Sequence, residues 1–175
     1  MKKLNLLLIF FVLFLSIQSI AFANSSYVLP YPSSMPGSIP YKVHVFIEHI
    51  LKYWYFGSFS QFKYNRKYAD KYLIEAKVLF EYGQYPLAIK ALEKSNFYFK
   101  NESDFLVQAE RENKNISEKM MLLKNASQKH IEVLEKIKKE VPEKFNWSPE
   151  KSIPYELQIR TIIDKAIKDR MQVYE

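Results

Sequence analysis

The chain has 175 residues, 48% of them hydrophobic and 26% charged, with a formal net charge of +7; this is enough apolar material for one domain with its own core and too much for a disordered chain. It contains no Cys, which excludes disulfides, thiolate zinc sites, iron–sulfur clusters and cysteine nucleophiles together. Only three Gly are present, which argues against a β fold of many tight turns and leaves no phosphate-binding loop and no dinucleotide fingerprint.

Residues 1–23 read as a secretory signal peptide. Lys2 and Lys3 form the charged start, Leu4 to Leu15 is apolar apart from Asn5, and Ala21-Phe22-Ala23 is a small-x-small cleavage site. The alternative is an uncleaved N-terminal anchor, since the run is about long enough to span a bilayer. No Cys follows it, so no lipoprotein anchor is expected. The expected location is extracytoplasmic: periplasmic, secreted or at the cell surface. Without Lys2 and Lys3 the charge falls to +5, and the later basic residues are interspersed with acids, as in Glu132 to Lys144. That is a solvated helix face, and no nucleic-acid partner is expected.

Residues 24–40 hold Pro30, Pro32, Pro36, Gly37 and Pro40 and form an extended leader without a helix of its own. Val28, Leu29 and Met35 are free to pack on the body. Residues 41–175 then read as a single helical domain. A first helix is predicted from about Pro40 to Phe56, with Val43, Ile47, Ile50 and Trp54 at 4-3-4 spacing as one apolar stripe. A second, from about Ser60 to Tyr82, is striped by Phe62, Ala69, Leu73, Ala76 and Phe80, and Gly83 stands where a left-handed cap is wanted. Gln84-Tyr85-Pro86 starts the third helix at once, so the two must be antiparallel neighbours, with Ala76, Ala88 and Ala91 small enough for close packing. The third, to about Glu112, is striped by Ala88, Leu92, Ser95, Phe99, Leu106 and Ala109, and breaks at the polar run Arg111 to Asn115.

The fourth helix, about Ile116 to Lys139, has the clearest period. Ile116, Met120, Leu123, Ser127, His130, Leu134, Ile137 and Val141 alternate by four and three, as heptad positions do. Pro142 stops it, and Phe145-Asn146-Trp147 makes an aromatic elbow. Ser148-Pro149 can cap a last helix that Pro154 delays; that helix ends near Val173 and carries Leu157, Ile159, Ile162, Ile163, Ala166 and Ile167. No segment alternates as a strand. The fold class is therefore all-α, about five helices arranged as elongated antiparallel helical hairpins behind a proline-rich N-terminal leader.

Tyr72, Ala76, Leu79, Gly83, Tyr85, Ala88 and Leu92 match the spacing of one tetratricopeptide repeat, but a single copy does not make a stacked superhelix. A longer similarity begins at Leu29-Pro30-Tyr31-Pro32 and Met35-Pro36-Gly37-Ser38-Ile39-Pro40-Tyr41-Lys42. It continues through Glu48, is strongest over Tyr68 to Ala76, Gly83 and Ala88 to Lys94, and returns at His130 to Glu135 and Val141-Pro142-Glu143. In this order the chain resembles the bacterial domain-of-unknown-function family DUF5667. It departs from that family's pattern at Tyr72, where Arg is usual. The resemblance implies an exported or membrane-attached helical protein and carries no activity.

His44, Glu48 and His49 lie close on the first helix, but there is no H-E-x-x-H pattern and no further ligand nearby, so they read as a surface polar face; no metal and no other cofactor is expected. Gly83, Ala76, Ala88 and His130 are expected to be structural. For His130 the first reading is a buried side chain bonded to a neighbouring helix, and the alternative is a pH-sensitive seam; His130→Leu is expected to be tolerated or stabilising, and a large drop in the unfolding midpoint would sink the seam reading. The aromatic load is the unusual feature. Trp54 and Phe62 are expected in the core, while Tyr53, Tyr55, Tyr64 and Tyr68 are expected to be partly exposed. The plainer reading is that these tyrosines cover the ends of helices with their hydroxyls wet; interleaved with Lys63, Arg66 and Lys67, they are also the candidate interaction face, suited to a glycan, a lipid headgroup or a protein.

No catalytic residue is expected. There is no G-x-S-x-G elbow, and Glu48, Asp70, Glu75 and Glu81 read as salt-bridge members on helix surfaces. The leading expectation is a non-catalytic exported interaction or structural module of the bacterial cell envelope. Its partner is an unknown protein or envelope polymer, with membrane-surface contact left open. The first alternative is a module that binds an envelope polymer or lipid headgroup through the aromatic–basic face. The second is a hydrolase using helix-borne carboxylates.

Overall fold

Gly83 gives the sharpest local instruction in the chain. In the computed structural model, which describes residues 25–32, 36, 39–151 and 153–174, helix α2 (Ser58–Glu81) ends just before it. Gly83 takes φ +67°, a region that costs glycine little. Its N–H donates to the Phe80 carbonyl at 3.0 Å and the Gln84 N–H donates to the Leu79 carbonyl at 2.8 Å, the paired bonds of a Schellman cap. Helix α3 (Tyr85–Arg111) starts immediately with Pro86 in its first turn, and packs along α2 as the most extensive helix pair among the described residues. The end of α3 uses the same device with Asn113, at φ +58°, as the left-handed residue. Helix α4 (Ser117–Glu140) and helix α5 (Ile159–Met171) complete the bundle. Helix α1 (Ile39–Leu51), preceding α2, runs into a short 3₁₀ turn, Lys52–Trp54.

The described residues thus contain five α-helices and one small hairpin, and the class is all-α. The stripes expected for the second to fourth helices point inward. Leu73, Ala76, Ala88, Leu92 and Leu134 are fully buried, together with Ile159, Ile163 and Ala166 of α5. A second apolar cluster, Phe62, Ala69, Phe99, Leu106 and Leu123, fills the other end of the α2–α3 hairpin. Each such Leu, Ile or Phe contributes roughly 1.5–3 kcal/mol. Leu29 of the leader packs on the first cluster, whereas Val28 is exposed. The expected signal at 1–23, and Met35 and Gly37 of the leader, lie outside the described residues.

Two expectations are corrected here. Residues 145–147 and 155–157 are strands, β1 (Phe145–Trp147) and β2 (Tyr155–Leu157), paired antiparallel with Phe145 opposite Leu157 and Trp147 opposite Tyr155. The last helix therefore begins at Ile159 and not near Ser148. Pro149 and Pro154 both fall in the connection between the strands, where the missing N–H of proline breaks no helical bond. Phe145 then packs on Tyr85 with ring centroids 4.8 Å apart, closing that end of the core.

Candidate functional site

Helix α1 is turned the other way round from what its apolar stripe predicts. At about 100° per residue, Val43, Phe46, Ile47 and Ile50 share one narrow arc, and Glu48 stands about 160° from Ile50. Glu48 is the buried residue, at 5% exposure. Val43, Phe46, Ile47 and Ile50 are exposed, Phe46 at 67%. The apolar surface continues into the following turn, where Tyr53, Trp54 and Phe56 are exposed, Trp54 at 74%. The core position expected for Trp54 is thereby corrected, and the apolar stripe of Val43, Ile47 and Ile50 faces outward. What holds the helix in this orientation is polar. The Glu48 carboxylate accepts from the Tyr72 hydroxyl at 2.6 Å and is paired with Lys71, and its carbonyl accepts from the Tyr64 hydroxyl at 3.0 Å. The Tyr41 hydroxyl donates to Glu75 at 3.0 Å. The bonds to the two carboxylates are charge-assisted and stronger than neutral ones, and a buried carboxylate left without them would be costly.

Beneath α1 lies a layer of tyrosines. Tyr64, Tyr68 and Tyr72 of α2 are all buried, and Tyr98 of α3 joins them, stacked on Tyr72 with centroids 5.8 Å apart. Lys94 and Lys71 lie over the Tyr72 ring at 4.7 and 5.1 Å, within cation–π range. Burial pushes the Tyr64 and Tyr72 hydroxyls above their ordinary pKa, so they stay protonated and act as donors to α1. Tyr64 and Tyr68 are thus a floor under α1, and their expected partial exposure is corrected. Among the other residues of the expected face, Tyr53, Lys63 and Lys67 are exposed, Tyr55 is half-buried, and Arg66 turns one guanidinium nitrogen inward. The structure does not gather these seven residues into one face. An aromatic run on a helix does not by itself tell floor from surface.

Behind the tyrosines, four helices and the leader meet in a buried polar network. Asp70 of α2 accepts from the Tyr27 hydroxyl at 2.5 Å and bonds His130 Nε2 of α4 at 2.7 Å. Arg170 of α5, wholly buried, donates Nε–H to His130 Nδ1 at 3.1 Å, and its other nitrogens reach Asn96 Oδ1 at 2.7 Å, Ser95 Oγ at 3.0 Å and the Ala166 carbonyl at 2.9 Å. The partners assign the tautomer. Arg170 can only donate, so Nδ1 must accept, and Nε2 carries the proton that goes to Asp70. Burial holds the His130 pKa below its ordinary value; the Asp70 bond opposes this and Arg170 reinforces it. Burial likewise pushes Arg170 down to about 10. Glu102 of α3 is fully buried with neither oxygen hydrogen-bonded among the described residues, and burial, with Asp70 nearby, pushes its pKa well above the usual carboxylate range.

His130 is therefore bonded to two neighbouring helices. Glu48, Asp70 and Glu75, expected on helix surfaces, are buried, while Glu81 is exposed and pairs with Lys77 at 2.7 Å. Of the three residues weighed as a metal face, only Glu48 is shown to be buried, and no metal-holding cluster occurs among the described residues. Sequence reasoning missed Arg170 and Glu102, although both were marked. The third-helix stripe jumps seven residues from Phe99 to Leu106, and Glu102 fills that gap; Arg170 continues the Ile163, Ala166, Ile167 stripe.

A family model described as Domain of unknown function (DUF5667) matches residues 33–144, from the leader through α4. No curated protein and no solved structure matches the chain. The chain belongs to the DUF5667 family, and Arg170 enters the network from beyond the matched span.

Proposed function

We propose that this family member is an exported, non-catalytic helical module of the bacterial cell envelope that works by contact, through the apolar face of α1. The observation that carries this reading is the inverted first helix. A chain that has the means to bury Val43, Phe46, Ile47 and Ile50 instead presents them to solvent, and pins the opposite side down with Glu48. Among the described residues, eight of the large exposed hydrophobic side chains fall between Ile39 and Phe56, a concentration that marks an interaction surface. The non-catalytic part is supported by the interior. Glu102, His130 and Arg170, titratable members of the buried network, are all at 0% exposure, which keeps them out of reach of a substrate. Export rests on the signal-like run before Asn24.

The test is site-specific photo-crosslinking in a bacterium that expresses the whole chain. A photoreactive residue at Phe46 should give discrete adducts in the envelope fraction, and one at the exposed Lys136 of α4 should give none. A chain that stays in the cytoplasm, or equal crosslinking from both positions, would sink the reading.

A further inference from the structure

The charge of this molecule is not spread evenly. Residues 24–69, which follow the expected signal, hold five basic side chains and a single acid, Glu48, whereas residues 70–175 hold 19 basic and 18 acidic ones. Nearly all of the excess positive charge therefore belongs to the segment that contains α1. The one acid of that segment is buried and paired with Lys71, so it does not offset the charge at the surface. Lys42 and Lys52 are exposed at either end of the apolar arc.

Resting on the reading of α1 as the contact surface, we propose that its occupant is an anionic lipid bilayer, with α1 lying in the plane of the headgroup–acyl boundary. Three further observations favour this occupant. α1 has 13 residues, about 20 Å of helix, too short to cross a bilayer but ample to lie in its surface, and no helix among the described residues is long and apolar enough to cross. The apolar arc ends in Tyr53 and Trp54, side chains whose amphipathic rings favour the level of the headgroups. A second copy of the chain would bring the same lysines face to face around the apolar contact, which opposes self-association, whereas an anionic surface attracts them. Apolar insertion and lysine attraction act together here, as in amphipathic surface helices.

The test uses Trp54 as a local reporter, because the apolar run at 4–15 could bind vesicles independently. Trp147→Phe in the full chain leaves Trp54 as the sole tryptophan. With vesicles of phosphatidylglycerol and phosphatidylcholine, Trp54 emission should shift to the blue and be quenched by lipids brominated near the top of the acyl chain. Phosphatidylcholine alone should give much less, and raising the salt from about 0.1 M to about 1 M should weaken the response by screening the lysines. Ile50→Ser combined with Phe46→Ser should abolish it. Trp54 emission that stays aqueous while vesicles bind the protein overturns the proposal. So does a blue shift that needs no vesicles and grows with protein concentration, the mark of a second copy. Discrete protein adducts from position 46 without lipid quenching overturn the bilayer as occupant and leave the contact reading standing. Neither adducts nor quenching overturns both.

Discussion

α1 and α4 each turn a polar residue inward, and they do so in opposite ways. In α4, His130 sits among apolar neighbours of the same stripe, Leu123, Ile131, Leu134 and Ile137. The polar group is an inclusion within a hydrophobic seam, and its network is closed by Asp70 and Arg170. In α1, Glu48 lies opposite the apolar stripe and replaces it as the means of attachment, held by Tyr72, Lys71 and Tyr64. One helix is fixed by its apolar side and specified by its polar group. The other is fixed by its polar group and keeps its apolar side for something else. A hydrophobic stripe thus tells which residues share a face, and the partner available decides whether that face is covered.

If this contrast is right, the two regions should respond differently to mutation. The largest effect belongs to Arg170→Ala. It strips donors from His130, Asn96 and Ser95 inside the core, and should cost about 3–5 kcal/mol of global stability, read by urea unfolding. His130→Leu comes next. On the seam alone it is tolerated, but with Asp70 and Arg170 both losing their shared partner it should cost about 2–3 kcal/mol, and a stabilised variant would sink the network described here.

The same histidine sets a pH dependence. Its folded pKa lies below the ordinary 6.5, so on acidification the unfolded chain takes up the proton first. The stability it contributes is present above about pH 6.5 and is lost as pH falls toward the folded pKa. The urea midpoint should therefore drop between about pH 7 and about pH 5, and drop less in His130→Leu.

Glu48→Ala should act locally. Loss of its bonds to Tyr72 and Lys71 should cost about 1–3 kcal/mol of α1 docking, seen as faster hydrogen exchange over Tyr41 to Leu51 with α2–α5 protection unchanged. Slowest on this scale is Ile50→Ser. On an exposed face it should shift stability by no more than about 0.5 kcal/mol, and a larger loss in thermal unfolding would mean that the α1 stripe is covered after all.

Much of the bundle was legible in the sequence. The Gly83 turn, the four-and-three spacing of α4 and the small residues Ala76 and Ala88 each encode their own local outcome, and the helices follow from them. The strands were not legible, because three residues on each side of a proline-bearing connection are too few to show a period, and the packing of Phe145 on Tyr85 joins positions far apart in the sequence. The orientation of α1 was not legible either, since Glu48 finds its partners on Tyr64, Lys71 and Tyr72, which no local pattern connects to it. The polar network stood half in view. Its members occupy stripe positions in α3, α4 and α5, where a charged residue needs a partner, but only the folded arrangement shows that the partners are one another.

The leader carries one more consequence, and it concerns time. Ser25 N–H donates to Glu132, 107 positions further along the chain, and Tyr27 covers Asp70 across 43 positions. Contacts of such sequence separation form late, because the chain between them must first be ordered. The α2–α3 hairpin can close on itself; the leader must wait for α4. The leader, although synthesised before the helices that hold it, is therefore expected among the last segments to find its place, with Asp70 uncovered on that side until it does.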